Sequence, residues 1–205
     1  GVDIRGRSRT LRINYRTSHQ IRMQADRLLG KEIADVDGNV EERRGIVSVF
    51  NGPKPAILVC DSSKKEIDAV SKWIKEIISN GMLPHEIGIF VRSEAQMLRA
   101  QSAVEKAKIS YCILDDKVET ASGNISISTM HLAKGLEFRA VCVMACDDEI
   151  VPLQERIEMA GDDAELEEVY NTERHLLYVA CTRARENLLI TSGDSPSEFL
   201  DDLQS

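Results

Sequence analysis

The sequence predicts an α/β domain built on a mostly parallel β-sheet. Short apolar runs alternate along the chain with segments of helical periodicity, and the runs are apolar throughout. Continuous apolar strands are typical of parallel sheets that helices cover on both faces. The chain has 205 residues, 42% hydrophobic and 29% charged, which is ample for a sizeable core. We expect a single domain over residues 1–205 with a sheet of five to seven strands.

Helices are predicted where apolar residues recur every three or four positions, and strands where an apolar run is short. Thr17 or Ser18 can cap the first helix, and Asn80-Gly81 is expected to end the second. The predicted elements are helices 17–29, 64–79, 95–107, 167–185 and 195–203, and strands 46–50, 56–60, 87–91, 109–114, 125–129, 140–145 and 187–191.

Charge and cysteine usage exclude several classes of protein. The net charge of −8 argues against a protein whose whole surface binds nucleic acid, although residues 1–31 are locally basic. The five cysteines form no CxxC pair, so free thiols in a reducing cytoplasm are expected. No apolar run approaches the roughly 20 residues that cross a bilayer. The polar, Arg-rich start without Met suggests a piece of a longer protein.

The segment NYRTS at 14–18 opens the first predicted helix. Tyr15 offers a flat face for stacking, and Arg16 offers a fork of donors suited to phosphate oxygens. The free N–H groups at the start of a helix also favour anions. The segment alone leaves open a simpler alternative, a surface Tyr-Arg pair in front of a helix cap.

The segment TMHLAKGLEF at 129–138 follows a predicted strand. Ligands of such folds bind in the loops at the carboxyl ends of parallel strands, so chemistry is expected here. Gly135 lets the backbone approach a ligand closely, and Glu137 can accept hydrogen bonds from a ribose hydroxyl. Thr129 and His131, at the strand exit, can contact a nucleic-acid backbone. A connection with scattered polar groups is the alternative.

The segment TERHLLYVACTRARENLLIT at 172–191 predicts a helix that packs on the sheet, with Arg183 and Arg185 near its C-terminal end. A cation at a helix C-terminus is favourable by about 0.3–1 kcal/mol. Helix capping and a catalytic role are therefore both open for Arg183 on this segment alone.

Taken in order, NYRTS, TMHLAKGLEF and ERHLLYVACTRA resemble the C-terminal RecA-like lobe of UvrD/Rep-type superfamily 1 DNA helicases. The stretch GIFVRSEAQMLRAQSAVEKAKISYCIL at 88–114 resembles the family's segment between the first two motifs, so the likeness runs from about 11 to 191. The resemblance implies a RecA-like fold of the P-loop-NTPase type. It also implies the second motor lobe of an ATP-dependent 3′→5′ DNA helicase or translocase.

The resemblance assigns roles toward ATP to five residues. Tyr15 would stack on the adenine, and Glu137 would contact the ribose. Arg16 would reach the γ-phosphate, and Arg183 would act on it as an arginine finger. Gly135 would lie beside the phosphates.

The resemblance also implies partners. Thr129 and His131 would face single-stranded DNA, and an N-terminal RecA-like lobe of the same protein would complete the ATP site. No GxxxxGK[ST] loop occurs in the 205 residues, so the Mg²⁺ that accompanies ATP would be held by that lobe. The isolated chain is expected to hydrolyse no ATP.

One departure from the family concerns residues 115–124, which stand where the family commonly inserts a large helical subdomain. The sequence therefore leaves open whether the protein separates DNA strands or only translocates along one strand. Two other functions are also open: a degenerate lobe that binds nucleic acid or a partner without supporting hydrolysis, and a motor that acts on RNA. The presence of Arg16, Arg183 and Glu137 argues against the degenerate lobe.

Overall fold

Strands and helices alternate along the chain in the computed structural model, which describes residues 13–14, 17–29, 33–34, 40–41, 47–48, 51–115 and 122–204. The strands are β1 (Ile13–Asn14), β2 (Ile33–Ala34), β3 (Val40–Glu41), β4 (Val47–Ser48), β5 (Ala56–Val59), β6 (Ile87–Val91), β7 (Tyr111–Ile113), β8 (Ile125–Thr129), β9 (Phe138–Val143) and β10 (Ala184–Ser192). The helices are α1 (His19–Ala25), α2 (Ser63–Ser79), α3 (Met97–Ala107), α4 (Gln154–Glu158), α5 (Asp163–Cys181) and α6 (Phe199–Gln204). Short 3₁₀ turns span Asp26–Leu28, Pro84–Glu86, Glu94–Gln96 and Met130–Ala133.

The central sheet has six strands in the order β5-β10-β9-β6-β8-β7, and every neighbouring pair is parallel. The predicted class and the predicted strand number are confirmed. Because the strands are parallel, their first residues share one edge of the sheet, the amino edge, where β9 and β10 begin. Their last residues share the opposite edge, the carboxyl edge, where β6 and β8 end.

Helices cover both faces of this sheet, as continuous apolar strands require. On one face α2 and α3 pack on a buried cluster that includes Ala140 and Cys142 of β9. On the other face α1, α5 and α6 pack on a cluster that includes Val141 and Val143 of the same strand. Successive side chains of a strand point to opposite faces, so β9 contributes to both cores.

Several predicted boundaries agree closely with the structure. The bounds of β6 and β8 match the prediction, and Ser18 caps α1 by accepting from the Ile21 N–H at 3.5 Å. Gly81, with φ +95, follows the end of α2. The predicted strand 46–50 lies partly outside the described residues; within it, β4 pairs with β1 in parallel.

The predicted long helix at 167–185 is wrong at both ends. α5 begins four residues earlier, where Asp162 caps it by accepting from the Glu165 N–H at 2.9 Å. The helix ends at Cys181, because Phe138 N donates to Arg183 O at 3.0 Å and strand pairing with β9 begins there. Arg183 therefore follows the helix, and Arg185 lies in β10.

All five cysteines are free thiols, and those at 142, 146 and 181 are buried. Burial raises the pKa of Cys181 to about 12, so this thiol packs as a small apolar side chain. None of the helices in the described part of the chain is long and apolar enough to cross a membrane.

Candidate functional site

A polar cleft of about 200 Å³ opens at the amino edge of the sheet. It draws on all three segments that the sequence analysis singled out, although the first and third are more than 150 residues apart in the chain. The lining residues are Thr17, Arg22, Leu136, Glu137, Tyr178, Thr182 and Arg183.

Two hydrogen bonds tie the first segment to the third. Thr17 Oγ1 donates to Thr182 O at 3.2 Å, and Ser18 N donates to Arg185 O at 3.0 Å. The turn at 51–55 also packs closely here, since a Cβ added to Gly52 would lie 2.9 Å from the Ser18 side chain. The start of α1 is thus held against the start of β10 by the protein's own contacts.

Arg183 joins the third segment to the second. Its Nε donates to Val179 O at 3.1 Å, in the last turn of α5, and its Nη1 donates to Leu136 O at 3.3 Å. Nη2 donates to Thr182 Oγ1 at 3.4 Å. All three acceptors are neutral. The side chain therefore makes the helix-capping contact and also lines the cleft, so the two roles considered for it are compatible.

The segment 129–138 crosses the sheet from one edge to the other. Thr129 ends β8 at the carboxyl edge, whereas Glu137 immediately precedes β9 at the amino edge. At about 3.3 Å per residue, a strand of five or six residues separates these edges by roughly 15 Å. Gly135, with φ +88, adopts the left-handed backbone that favours glycine as the chain turns toward β9.

The expectation that this segment places its chemistry at the carboxyl ends of the strands is therefore wrong for Glu137. The cleft it lines lies at the amino edge. The physical reason is the parallel pairing of β9: the chain must return to the amino edge before that strand can start.

The two other predicted residues of this segment lie at the carboxyl edge. Thr129 is half-buried, and His131 is exposed within the 3₁₀ turn. Desolvation and the positive charge of Arg92 lower the pKa of His131, against the opposing charge of Glu173. At neutral pH His131 is therefore an uncharged group that can donate and accept hydrogen bonds.

The carboxyl edge also contains a buried ion cluster that the sequence analysis did not find. Glu173 of α5 has no exposed surface, and its two oxygens accept from Nε and Nη2 of Arg92, both at 2.6 Å. Arg156 Nη1 and Leu153 N donate to the same carboxylate at 2.9 and 3.4 Å. We call these four residues the Glu173 cluster.

A second cluster lies at the same edge under α2 and α3. Arg99 pairs with Glu66 and donates from Nη1 to Asp147 Oδ2 at 2.6 Å. Asp147 Oδ1 also accepts from Gly193 N at 2.6 Å, and Glu66 accepts from Ala145 N at 2.9 Å. We call Glu66, Arg99 and Asp147 the Arg99 cluster. No local signal marks either cluster, because the partners are 17 to 81 residues apart.

Of the predicted site residues, the structure places Glu137 and Arg183 in the cleft. Gly135 lies two residues before Glu137 in the sequence. Thr129 and His131 are at the opposite edge, and Tyr15 and Arg16 lie outside the described residues. Sequence reasoning missed Arg22, one helical turn after the Ser18 cap and therefore on the same side of α1. Among the described residues, no group of three or more His, Cys, Asp or Glu is placed to hold a metal ion.

Comparisons with known proteins support a common family. Residues 114–195 match the model of the UvrD-like helicase C-terminal domain. The chain is 40% identical over 84 residues to the ATP-dependent DNA helicase PcrA of Staphylococcus epidermidis, and equally to PcrA of Staphylococcus aureus. Each match covers 41% of this chain but only 11% of the relative's length.

A solved structure shares the fold. The C-terminal domain of a possible DNA helicase from Lactobacillus plantarum has a TM-score of 0.63 and 22% identity, over 93% of this chain and 94% of that one. The RecA-like class is thereby confirmed. Over residues 114–195 the sequence matches the UvrD-like helicase C-terminal domain, the family that its motifs resemble.

Proposed function

We propose that this chain is the C-terminal motor lobe of an ATP-dependent 3′→5′ DNA helicase or translocase. One observation carries the proposal: the hydrogen bond from Thr17 to Thr182 brings the first and third motifs together beside Glu137 of the second. Three motifs that are separate in the sequence thus line one cleft. The named activity of the PcrA relatives supports DNA as the partner.

The chemistry of the cleft fits a nucleoside triphosphate as substrate. The arginines at 22 and 183 and the two threonine hydroxyls are donors suited to phosphate oxygens, and Glu137 can accept from a ribose hydroxyl. Tyr15 and Arg16 precede Thr17 directly, and they would stack on the adenine and reach the γ-phosphate. Gly135 would bring the backbone near the phosphates.

In this proposal Arg16 and Arg183 stabilise the charge that develops on the γ-phosphoryl group. Arginine fingers are worth about 10³–10⁵ in rate generally. The Mg²⁺ that accompanies ATP would neutralise phosphate charge and would be held by an N-terminal RecA-like lobe of the same protein. A single RecA-like lobe over 1–205 would then supply only half of the ATP site.

Thr129 and His131 are proposed to grip single-stranded DNA at the carboxyl edge. An uncharged imidazole and a hydroxyl can form hydrogen bonds to the oxygens of the DNA backbone. Such contacts contribute affinity without recognising the base sequence. Because the cleft lies at the other edge, nucleotide and DNA would occupy separate surfaces of one lobe. Closure of the two lobes on ATP would move the DNA-gripping surface.

The test compares the full-length protein with the isolated 205-residue chain. The full-length protein should hydrolyse ATP faster when single-stranded DNA is added, and the isolated chain should hydrolyse none. Stimulation by RNA in place of DNA would favour an RNA motor. DNA binding without hydrolysis by the full-length protein would favour a degenerate lobe and would refute the proposal.

The base-stacking role has its own variant. Tyr15→Ala in the full-length protein should weaken nucleotide affinity and reduce the preference for ATP over other nucleoside triphosphates. Stacking on adenine is indifferent to the phosphate chain, so selectivity for triphosphate over diphosphate should be kept. An unchanged base preference would show that Tyr15 has no contact with the base.

A further inference from the structure

We propose that Glu173 is a positioning residue that couples the amino-edge cleft to the surface around His131, by fixing α5 to the end of β6 and to residues 153–156. The inference rests on the proposed function, since it requires nucleotide at one edge and DNA at the other. It adds a named residue and a route for the coupling between them.

The contacts of Glu173 join three elements at one point. Arg92 directly follows β6, Leu153 and Arg156 belong to the start of α4, and Glu173 itself is in α5. A buried ion pair stabilises a fold no better than apolar side chains of similar volume, whereas breaking one is strongly unfavourable. The cluster therefore serves to hold these elements in one relative position more than to add stability.

Helix α5 runs from this cluster to the cleft. Tyr178, Thr182 and Arg183 line the cleft and follow Glu173 by five to ten residues. At 1.5 Å per residue, α5 extends about 12 Å beyond Glu173 before it ends at Cys181. The helix is continuous from Glu173 to Cys181, and Thr182 and Arg183 follow it directly, so a shift at its cleft end is transmitted to Glu173 as a rigid-body movement.

The far end of this route is the proposed DNA-facing surface. The 3₁₀ turn that carries His131 packs against α5. The charges of Arg92, Arg156 and Glu173 act on the pKa of His131, the two arginines lowering it and Glu173 raising it. Arg156 also has 37% of its side chain exposed at this edge. A movement of the Glu173 cluster would therefore move the groups that surround His131.

The Arg99 cluster offers a matched control. Glu66 is as fully buried as Glu173, lies at the same edge of the sheet and also pairs with an arginine. Its partners come from α3, from β10 and from the segment that follows β9, and none of them belongs to α5. Glu66→Gln should therefore perturb packing at this edge without touching the proposed route.

The experiment uses the full-length protein and the variants Glu173→Gln and Glu66→Gln. ATP turnover is measured with and without saturating oligo-dT, together with the KM for ATP and the affinity for oligo-dT without nucleotide. Glu173→Gln should lower the ratio of DNA-stimulated to basal turnover by about tenfold, within the usual range of coupling between sites. Its basal turnover and KM should stay near wild type, and Glu66→Gln should keep the wild-type ratio.

A second variant covers the case in which Glu173→Gln does not fold. Arg156→Gln removes the ion pair between the partly exposed Arg156 and Glu173, and it leaves the bidentate pair of Arg92 and Glu173 intact. It should lower the same ratio to a smaller extent, with basal turnover kept.

Several results would overturn the inference. A wild-type ratio in Glu173→Gln, or in Arg156→Gln when Glu173→Gln does not fold, would remove Glu173 from the coupling. An equal loss in Glu66→Gln would show a general packing effect. If the wild-type protein itself shows no stimulation by DNA, the proposed function fails, and this inference fails with it.

Discussion

At the amino edge of the sheet Arg183 reaches neutral acceptors beside an open cleft, whereas at the carboxyl edge Arg92 and Arg99 bind carboxylates that have no exposed surface. The same residue type is thus used in two ways at the two edges of one sheet. Arg183 has no carboxylate among the three acceptors described for it, and it lines a space large enough for part of a ligand.

The two environments differ in the acceptors that the guanidinium groups reach. A guanidinium that is already paired bidentately with a buried carboxylate, as Arg92 is, has its charge compensated inside the protein. The described part of this molecule has a polar cleft at the amino edge, away from the carboxyl ends of the strands where α/β folds generally bind ligands. Its carboxyl edge is internally paired, and its cation-lined cleft is at the amino edge.

The largest expected effect tests how much the carboxyl edge depends on its buried charges. Glu173→Gln should lower the free energy of unfolding at pH 7 by about 3–5 kcal/mol, because it leaves Arg92 buried without its charged partner. Glu66→Gln should lower it less, by about 1–2 kcal/mol, since Asp147 still pairs with Arg99. Urea unfolding of both variants measures the difference, and equal losses would contradict it.

The stability that Glu173 contributes depends on pH. Burial by itself would raise the pKa of Glu173, but Arg92 and Arg156 outweigh it and hold the pKa below its ordinary value of 4.5. The stability that this group contributes is therefore complete above that value and is lost as the pH falls through the lowered folded pKa. The difference in the free energy of unfolding between wild type and Glu173→Gln should therefore decrease as the pH falls. If this difference in the free energy of unfolding stays constant from neutral to acid pH, the protonation of Glu173 is not linked to stability.

The second prediction tests the amino edge. Arg183→Ala in the full-length protein should lower kcat for ATP by at least about 10²-fold with a much smaller change in KM, because a finger acts on charge present in the transition state. If Arg183 only caps α5, the variant should instead lose a fraction of a kcal/mol in stability and keep kcat. Arg185→Ala, an exposed arginine two residues away in β10, is the matched control and should leave kcat unchanged.

The third prediction separates the two ends of the segment 129–138. His131→Ala should weaken single-stranded DNA binding by about tenfold, the value of one lost good hydrogen bond, with ATP affinity in the absence of DNA nearly normal. Glu137→Ala should instead raise the KM for ATP, with DNA binding largely kept. Loss of the same function to the same degree in both variants would mean that the two edges do not have separate ligands.

The smallest effect concerns the turn between the edges. Gly135→Ala should lower the free energy of unfolding by about 1 kcal/mol, because φ +88 strains any residue with a Cβ while the space around it is open. Gly81→Ala, with φ +95 and equally open surroundings, is the matched control and should lose a similar amount. Only Gly135→Ala should also raise the KM for ATP. A raised KM in both variants, or in neither, would separate Gly135 from the cleft.

Local patterns in the sequence were sufficient for several parts of the structure. The apolar runs at 87–91 and 125–129 are buried strands with the predicted bounds, since both faces of each strand are covered and alternation is not needed. Thr17 or Ser18 was predicted to cap the first helix and Asn80-Gly81 to end the second, because a helix start and a helix end each need particular residue types. Ser18 caps α1, and Gly81 follows the end of α2 with φ +95. The three motifs depend on short stretches of sequence, and the family match covers the second and third of them.

Tertiary structure alone decided which edge of the sheet each residue occupies. The order of the strands separates Thr129 from Glu137, although only seven residues lie between them in the sequence. The end of α5 was likewise set by pairing with β9, which overrides the helical period. The buried partners of Glu173 and Glu66 are distant in the chain, and a charged residue has the same local pattern whether it is solvated or paired. Long-range pairing, which no local period encodes, therefore decided which charged groups are paired in the interior and which side chains line the cleft.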